Sequence, residues 1–331
     1  MTWFDLQQLL NICWERGIMK QAYIIIAHNK FEQLEFLISL LDYKQHDIFL
    51  VIDSKVALEE SAINSLKSSA NFSKVILVDR VPIFWGSYSQ IFAEFQGFRC
   101  AYNYDNYSMF HLLSGVDLPL EPAENLYNFF EQHKFNTFLS MVSDEIYESN
   151  KVYERVRFKY LCPNYLTRNI GNKFIRKFVS YYRKIELKVQ LLLNVDCFKK
   201  YSMKLGYASN WVSINQELVR ILIQEEKNVE KIFKNSIVND ELFIPTIMYK
   251  HNLMGTLYSS SPITDEPGDF QGNLRYINWW DGNPYTWTDS ERDLEQLKRG
   301  KELGHKFSRK FDLDKYPNLK KEILTIINGT G

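Results

Sequence analysis

Cysteine is scarce in this chain and shows no paired spacing. Four of the 331 residues are cysteine, and they lie far apart, at Cys13, Cys100, Cys162 and Cys197. No two of them are spaced as in zinc sites or redox motifs, and nothing indicates a disulfide framework. The pattern therefore predicts reduced thiols and a cytoplasmic protein.

The chain also lacks a net charge. Forty Lys and Arg residues balance forty Asp and Glu residues. No basic field is present that would attract nucleic acid, so a nucleic-acid partner is not expected. Aromatic residues, in contrast, make up 15% of the chain, which suits a large apolar core and also a sugar-binding cleft.

No leader or membrane span is predicted at the N-terminus. Asp5 and Glu15 interrupt the apolar residues of the segment 1–18, and no small-residue cleavage site follows. Met19 stands directly before the first strand pattern. We therefore expect 1–18 to be an N-terminal extension, either an added helix or the product of an upstream start codon.

The first third of the chain alternates between strand and helix patterns. Ala22–Ala27 is a continuous apolar run, typical of a buried parallel strand. A helix is predicted to follow, with Asn29 as its N-cap and Glu32 three positions later. Two more strands are predicted at 47–52 and 74–78. Strand, helix and strand at this spacing predict a right-handed βαβ unit.

In open α/β sheets, ligands bind beyond the carboxyl ends of the strands. This rule places His28, Asp53 and the loop after Asp79 around one crevice. His28 could serve as a base, but a histidine that ends a buried strand more often only hydrogen-bonds its neighbours. We prefer the second interpretation.

The next segments continue the α/β pattern. The sequence that begins at Trp85 opens a helix, with Ser87 and Gln90 as a predicted capping box. Further strands are predicted at 109–113 and 137–142. The fold class is therefore α/β, with a Rossmann-like mixed sheet flanked by helices.

Residues 145–205 change in character and predict a helical insertion. Between Lys173 and Lys204, nine Lys or Arg residues stand against two acidic residues and alternate with aromatic and aliphatic side chains. Such a stretch is either the solvated face of an ordinary helix or a patch that lies on a membrane surface. We see one domain over 19–315 that contains this insertion, followed by a C-terminal tail at 316–331.

Two short motifs far apart in the sequence have the chemistry for transfer of a sugar. Glu241, next to Asp240, can deprotonate a sugar hydroxyl, and Arg309 with Lys310 can hold a leaving diphosphate. Each motif has a plain structural alternative, since acidic residues cap helices and basic pairs are usually solvated. We expect Asp240 to be the cap and Glu241 to reach out. The apolar Phe307 and Phe311 indicate that the basic pair is pinned.

Seven segments, in this order, resemble the core-2/I-branching β-1,6-N-acetylglucosaminyltransferase and peptide O-xylosyltransferase family, glycosyltransferase family 14. They are AYIIIAHNK (22–30), FLVIDSK (49–55), WGSYSQIFA (85–93), LLSGVDLP (112–119), NDELFIPT (239–246), LRYINW (274–279) and FSRKFD (307–312). Each motif alone is weakly specific. Their order and spacing over roughly residues 20–315 are together fairly specific. The chain looks like a bacterial-type member.

The resemblance implies a GT-A fold, a UDP-sugar donor, inversion at the anomeric carbon and no divalent metal or other cofactor. It implies that Asp53 and the loop at Trp85 and Gly86 flank the uridine. Glu241 matches the family's catalytic base, and Lys310 matches its cation on the diphosphate.

On the acceptor side, Trp279 falls at the family's tryptophan, and Asp117 and Trp211 are further candidates. Two adjacent tryptophans on a strand point opposite ways, so one of Trp279 and Trp280 is expected to face the cleft.

The sequence departs from the family at one of the positions that bind the diphosphate. The branching enzymes have an arginine upstream of the lysine, where this chain has Tyr285. Arg275, Arg309 or an unrecognised lysine would have to replace that arginine.

Metal dependence is not expected. Asp117 has no acidic partner at the position that a metal motif requires, and Asp312 and Asp314 lie after Lys310 in a predicted surface segment. Without a metal, only Lys, Arg, Tyr or helix N-termini can offset the charge of the leaving diphosphate.

The leading hypothesis is an enzyme that moves GlcNAc from UDP-GlcNAc, in a β-linkage, onto a saccharide acceptor in surface polysaccharide or glycan synthesis. The same fold could use UDP-xylose, UDP-galactose or UDP-glucose instead. A catalytically inactive carbohydrate-binding derivative is a rival from another class. A lipid-linked acceptor would bring the protein to the inner face of a membrane through 173–204.

Overall fold

The computed structural model describes residues 19–263, 266–282 and 284–329. The predicted extension at 1–18 lies outside the described residues. Eight strands and eleven α-helices lie within them. The strands are β1 Lys20–Ala27, β2 His46–Ile52, β3 Lys74–Leu77, β4 Tyr107–Ser114, β5 Asp117–Pro119, β6 Ser213–Asn215, β7 Arg275–Ile277 and β8 Phe307–Arg309. The helices are α1 Phe31–Leu41, α2 Glu60–Ser68, α3 Tyr88–Tyr104, α4 Ala123–Gln132, α5 Asp144–Ser149, α6 Glu154–Arg157, α7 Lys173–Leu192, α8 Gln216–Phe233, α9 Phe243–Lys250, α10 Glu291–Glu302 and α11 Leu319–Asn328.

The central sheet has the strand order β3-β2-β1-β4-β6. Its first four strands are parallel, and β6 runs antiparallel to β4. The strand order reverses between β1 and β4, and open α/β sheets bind ligands at the carboxyl ends of the strands beside such a switch point. The predicted α/β fold with a mixed sheet, similar to a GT-A glycosyltransferase, is confirmed.

Helices cover both faces of this sheet, which explains the continuous apolar sequence of β1. Ile24 belongs to the apolar core that contains α3, α8 and α9, while Ile25 belongs to the core that contains α1 and α11. A Cβ on Gly97 of α3 would lie 2.4 Å from Ile24 Cγ2. Only glycine therefore allows α3 to lie this close to the sheet.

A second sheet has the order β5-β8-β7. Strand β8 ends at Arg309, the first residue of the predicted basic pair, and runs antiparallel to β5, with Arg309 opposite Asp117. It runs parallel to β7 on its other side. This register places Arg309 next to the residues that follow β4.

Both predicted helix starts differ in detail from the structure. Helix α1 has Lys30 as its N-cap, in the left-handed conformation and without a side-chain hydrogen bond, so the predicted Asn29 cap is wrong. Ser87 does cap α3, and its Oγ accepts from the Ser89 N–H at 3.2 Å. Gln90 reaches past Ser87 and accepts from the Gly86 N–H. The predicted box is therefore shifted by one residue.

The strand predicted at 137–142 is wrong. This segment makes only isolated bridges, and its four partners are Leu257, Ser213, Ala208 and Ile263. Because each pairing involves a different piece of chain, no continuous ladder forms.

The predicted insertion is helical, with α5, α6, α7 and three short 3-10 turns between 144 and 201. The predicted C-terminal tail contains α11, whose Leu319, Ile323 and Ile327 are buried in the core beside α1. Apolar residues at helical spacing pack this helix onto the domain.

Candidate active site

The turn before α9 carries the Asp240–Glu241 motif. Leu242 is the N-cap of α9 and no side chain caps the helix, so the predicted cap at Asp240 is wrong. Asp240 Oδ2 instead accepts hydrogen bonds from Gln90 Nε2 at 3.0 Å and from Asn210 Nδ2 at 3.1 Å. Asp240 therefore ties the turn to helix α3 and to the segment before β6.

Glu241 points out of this turn, with 29% of its side chain exposed. Its Oε2 lies 2.9 Å from Arg155 Nη1, and the same Nη1 donates to the Val238 carbonyl at 3.2 Å. The guanidinium also lies over the Tyr207 ring, 4.9 Å from its centroid. Burial and, next, the charge of Glu241 raise the pKa of Tyr207.

Sequence reasoning missed Arg155 and Tyr207. Arg155 lies on α6, inside the insertion, in a segment without a motif. Tyr207 follows that insertion directly. Only the folding of the insertion back onto the domain brings them to Glu241, and no local spacing signals this contact.

Two buried acids lie behind the turn. Burial and, next, the charge of Glu241 raise the pKa of Asp240 to about 7. Glu94 on α3 is also buried, and burial raises its pKa well above the usual range, with a further contribution from Asp240. Glu94 Oε2 has no hydrogen-bond partner among the described residues. Both carboxyls therefore favour the protonated form more than exposed acids do.

The predicted donor loop is bonded to the segment that carries Glu241. The Gly86 carbonyl accepts from the Val238 N–H at 2.7 Å. Gly86 has a φ of 73°, and a Cβ there would lie 2.7 Å from Leu166 Cδ1, so glycine is required. Trp85 is 43% exposed, and the Arg168 guanidinium lies 4.4 Å from the centroid of one of its rings. The fold thus unites two motifs that are far apart in the sequence.

Asp53 and His28 lie where the sequence predicts, after β2 and β1. The Asp53 Oδ1 accepts from the Lys55 N–H at 3.0 Å and the Ile83 N–H at 3.3 Å, while Oδ2 lies 3.3 Å from Lys55 Nζ. Asp53 therefore holds the loop that leads to Trp85. His28 is exposed and its ring makes no hydrogen bond to described residues, contrary to the interpretation that we preferred.

Arg309 is engaged by protein groups. Its Nη1 donates to Ser114 Oγ at 2.9 Å and to Asp117 Oδ1 at 3.1 Å, and its guanidinium lies 4.3 Å from a Trp211 ring centroid. Arg309 is therefore paired with a buried acid, in contrast to the diphosphate role predicted for it. The contacts give Arg309 a structural role, and its Nη1 is already bonded to protein groups rather than available to the nucleotide-sugar donor.

Lys310 is the free cation of the pair. It is partly buried, and its ammonium has no hydrogen-bond or ion-pair partner in the described part of the chain. Its carbonyl accepts from the Trp287 N–H at 2.9 Å, and Phe307 and Phe311 are fully buried. The segment is therefore pinned as predicted, with one ammonium left for a ligand.

The prediction that Asp117 binds an acceptor is corrected by the structure. Asp117 is fully buried, its Oδ2 accepts from the Ser114 N–H at 2.8 Å, and its Oδ1 accepts from Ser114 Oγ and Arg309. Burial raises its pKa, and the Arg309 charge opposes this shift. Both oxygens are occupied, so no sugar can contact them.

No predicted substitute for the family's arginine is free. The Tyr285 hydroxyl donates to Asp293 Oδ2 at 3.0 Å, so its one proton is used. Arg275 is fully buried and donates to the carbonyls of Asn273 and Val212. Arg275 therefore cannot contact a diphosphate. Tyr285 stands where the family has its diphosphate-binding arginine, and its hydroxyl is engaged by Asp293 in this structure.

The acidic residues after Lys310 are also paired. Lys30 Nζ bonds Asp312, and it lies 3.3 Å from Asp314 Oδ2. Within residues 19–263, 266–282 and 284–329, no group of three His, Cys, Asp or Glu side chains is placed to hold a metal. Metal independence stays a prediction.

The segment 208–211 joins the two motifs. The Ala208 N–H donates to the Glu241 carbonyl at 3.0 Å, and three residues later the half-buried Trp211 lies against Arg309. Trp279 is also half-buried. It lies two residues after the end of β7, so it is not on a strand as the sequence predicted. Trp280 packs on Tyr276 at a centroid distance of 5.8 Å.

A cavity of about 590 Å³ lies beside Tyr207. Its lining includes the aromatic side chains Tyr147, Tyr153 and Tyr249 and the acids Asp144 and Glu148. Aromatic faces and carboxylates are the groups that bind sugars, by stacking and by accepting from hydroxyls. Sequence reasoning did not identify this cavity.

Comparison with known proteins concerns the family to which the chain belongs. The family model described as Core-2/I-Branching enzyme matches residues 21–301. A search of curated proteins finds no match. The matched region contains Asp53, Trp85 and Glu241 and ends before Lys310. Because the match covers most of the chain, the protein belongs to the Core-2/I-Branching enzyme family and is a glycosyltransferase.

Proposed function

We propose that this glycosyltransferase moves GlcNAc from UDP-GlcNAc onto a saccharide hydroxyl, with inversion and without a metal. The observation that carries the proposal is the partly exposed carboxylate of Glu241, held by Arg155 at 2.9 Å. It is linked through 208–211 to Arg309 at the end of β8, and Lys310, which follows directly, has no side-chain partner among the described residues. A base and a free cation on one connected framework are what an inverting displacement needs.

In the proposed step, an acceptor hydroxyl oxygen attacks the anomeric carbon of the donor sugar. Glu241 takes the hydroxyl proton while the bond between the anomeric carbon and the phosphate oxygen breaks. UDP leaves with the electron pair of that bond, and the Lys310 ammonium offsets the charge that develops on its β-phosphate. A single displacement inverts the anomeric configuration.

The nucleotide is proposed to lie at the carboxyl ends of β1 and β2. Asp53 holds the loop there, and the exposed Trp85 ring offers an aromatic face, although the Arg168 guanidinium already covers part of it. His28, exposed at the end of β1, is a further group for the donor. These residues support a nucleotide-sugar donor but do not select its sugar.

For the acceptor, the cavity beside Tyr207 supports a saccharide site close to Glu241. The half-buried Trp279 remains the alternative, carried by resemblance. Tyr249→Ala should raise the acceptor KM and leave UDP affinity unchanged if the cavity holds the acceptor, whereas Trp279→Ala should do so under the alternative. Synthesis of surface polysaccharide is the proposed setting.

The test is release of UDP from a panel of four donors, UDP-GlcNAc, UDP-xylose, UDP-galactose and UDP-glucose, with saccharide acceptors and with or without EDTA. We expect fastest release from UDP-GlcNAc, undiminished by EDTA. A faster rate with another donor would correct the sugar. Loss of activity on chelation, restored by manganese, would overturn the metal-free step. Glycan binding without turnover would favour the inactive derivative.

A further inference from the structure

Helix α7 exposes an unusual amount of apolar surface. Its 20 residues contain six apolar side chains at intervals of three or four, which places them on one side of the helix. We call these residues the outer stripe: Phe174, Phe178, Tyr181, Ile185, Val189 and Leu192. Between 47% and 86% of each is exposed. Contiguous exposed apolar surface of this kind marks an interaction site.

The opposite side of α7 holds the helix to the domain. Gln190 Nε2 donates to the Lys159 carbonyl at 2.8 Å, and Gln190 Oε1 accepts from the Lys159 N–H at 2.8 Å. One turn earlier, Glu186 Oε1 accepts from the Leu161 N–H at 2.8 Å. Residues 186 and 190 lie roughly 100° and 140° around the helix from the centre of the outer stripe. The stripe therefore points away from the protein and is not a core face that α7 failed to bury.

The charges of α7 indicate what covers the stripe. The helix carries six basic residues and one acid, Glu186, which is paired with Arg183. The whole chain, in contrast, has no net charge. Three exposed lysines, Lys177, Lys184 and Lys188, flank the stripe along one side at helical spacing. An apolar stripe bordered by lysines is complementary to a surface that is apolar below and anionic above.

We propose that α7 lies in the surface of an anionic lipid bilayer, with the outer stripe among the acyl chains and the flanking lysines at the headgroups. No helix in the described part of the chain is long and apolar enough to cross a membrane. An attachment through an amphipathic helix and its lysines is peripheral, reversible and sensitive to salt.

This attachment would hold the candidate active site beside the membrane. The 3-10 turn Thr167–Asn169, just before α7, contacts the donor loop through Arg168 over the Trp85 ring and through Asn169 Nδ2, which donates to the Trp85 carbonyl at 3.0 Å. A saccharide acceptor carried on a lipid would then meet the enzyme in the plane of the bilayer. The attachment itself does not depend on the proposed function.

The test is sedimentation of the full chain with vesicles of phosphatidylglycerol and phosphatidylcholine, or of phosphatidylcholine alone, at low and at high salt. Two variants remove the two components: Phe178→Ser with Ile185→Ser, and Lys177→Gln with Lys184→Gln and Lys188→Gln. Two matched controls change equally exposed residues elsewhere: Phe72→Ser, and Lys67→Gln with Lys227→Gln and Lys321→Gln. Circular dichroism and thermal unfolding check that each variant is folded.

Wild type and both controls should pellet with anionic vesicles at low salt and remain in solution with neutral vesicles. The lysine variant should partition on the order of a hundredfold more weakly, since each lysine near an anionic surface contributes roughly a fivefold factor. The stripe variant should also lose binding. Equal pelleting of wild type and variants, or none at low salt, would overturn the proposal. A dimer in light scattering that the stripe variant abolishes, without vesicle binding, would show that a second copy covers the stripe instead.

Discussion

Arg155 Nη1 lies 2.9 Å from Glu241 Oε2, so a cation from the insertion holds the carboxylate that we propose as the catalytic base. The same nitrogen donates to the Val238 carbonyl, which lies just before the turn that carries the base. One guanidinium therefore fixes both the side chain of Glu241 and the backbone that presents it. This arrangement makes Arg155 a positioning residue.

Arg155→Ala should lower kcat by about a hundredfold, because a misplaced base loses its alignment with the acceptor hydroxyl. Arg155→Lys keeps the charge but can reach only one of the two oxygens, Glu241 Oε2 or the Val238 carbonyl, so it should recover part of kcat. Steady-state kinetics of both variants measure this. The control is Arg157→Ala on the same helix, whose guanidinium bonds the Val195 carbonyl and Asn194, lies over the Phe158 ring and makes no hydrogen bond to Glu241. Equal losses in Arg155→Ala and Arg157→Ala would indicate a merely structural effect.

Lys310→Ala should weaken UDP binding by about ten- to a hundredfold, since a hydrogen bond to a charged group is lost. Turnover should fall as well, because the leaving diphosphate loses its counterion. Tyr285→Phe should bind UDP as the wild type does, because its hydroxyl donates to Asp293. Calorimetric titration with UDP separates the two. A loss in Tyr285→Phe similar to that in Lys310→Ala would mean that the hydroxyl leaves Asp293 for the nucleotide.

Asp117→Ala should lower the free energy of unfolding by about 3–5 kcal/mol, because it leaves the mostly buried Arg309 without its partner. Urea denaturation measures the change. Glu217→Ala, which breaks an exposed pair with Arg220, is the control and should change stability little. If Asp117→Ala were as stable as the control, the pair would not hold β5 to β8.

The contribution of Asp240 to stability should fall as the pH rises from about 4 to about 7. Burial and the charge of Glu241 raise the pKa of Asp240 to about 7 in the folded protein. A raised pKa means that the folded state binds the proton more tightly than the unfolded chain. The contribution of Asp240 is therefore complete below the unfolded pKa and is lost as the pH rises through about 7. Asp240→Asn should flatten this decline in urea denaturation, and an unchanged slope would show that Asp240 does not titrate in this range.

The sequence predicted the features that depend on local pattern. The apolar run of β1, buried between two helical layers, indicated a parallel strand, and the order of short motifs indicated the family. The helical character of the insertion followed from its periodicity. The prediction of a strand at 137–142 was wrong, because this segment pairs with four different pieces of chain and forms no continuous ladder.

The side-chain environments could not be predicted, because they depend on contacts between distant segments. Asp117, Arg309 and Tyr285 were all polar residues in suggestive positions, and the fold uses the polar groups of each for internal hydrogen bonds. Arg155 had no motif and became the partner of Glu241. Lys310, the one cation of its pair without a partner in the described residues, was distinguished from Arg309 only by the register of β8 against β5.

Glu241→Gln tests the central claim most directly, since it removes the base and keeps the volume of the side chain. We expect transfer from the best donor to fall by about a hundred- to ten-thousandfold, which is what a general base contributes, with UDP affinity unchanged. Glu145→Gln, an exposed acid on α5 outside the cavity lining, serves as the control for loss of an acid. Single-turnover transfer and calorimetric titration with UDP, on the same preparation, give both quantities. A Gln variant that transfers sugar as fast as the wild type would contradict the account.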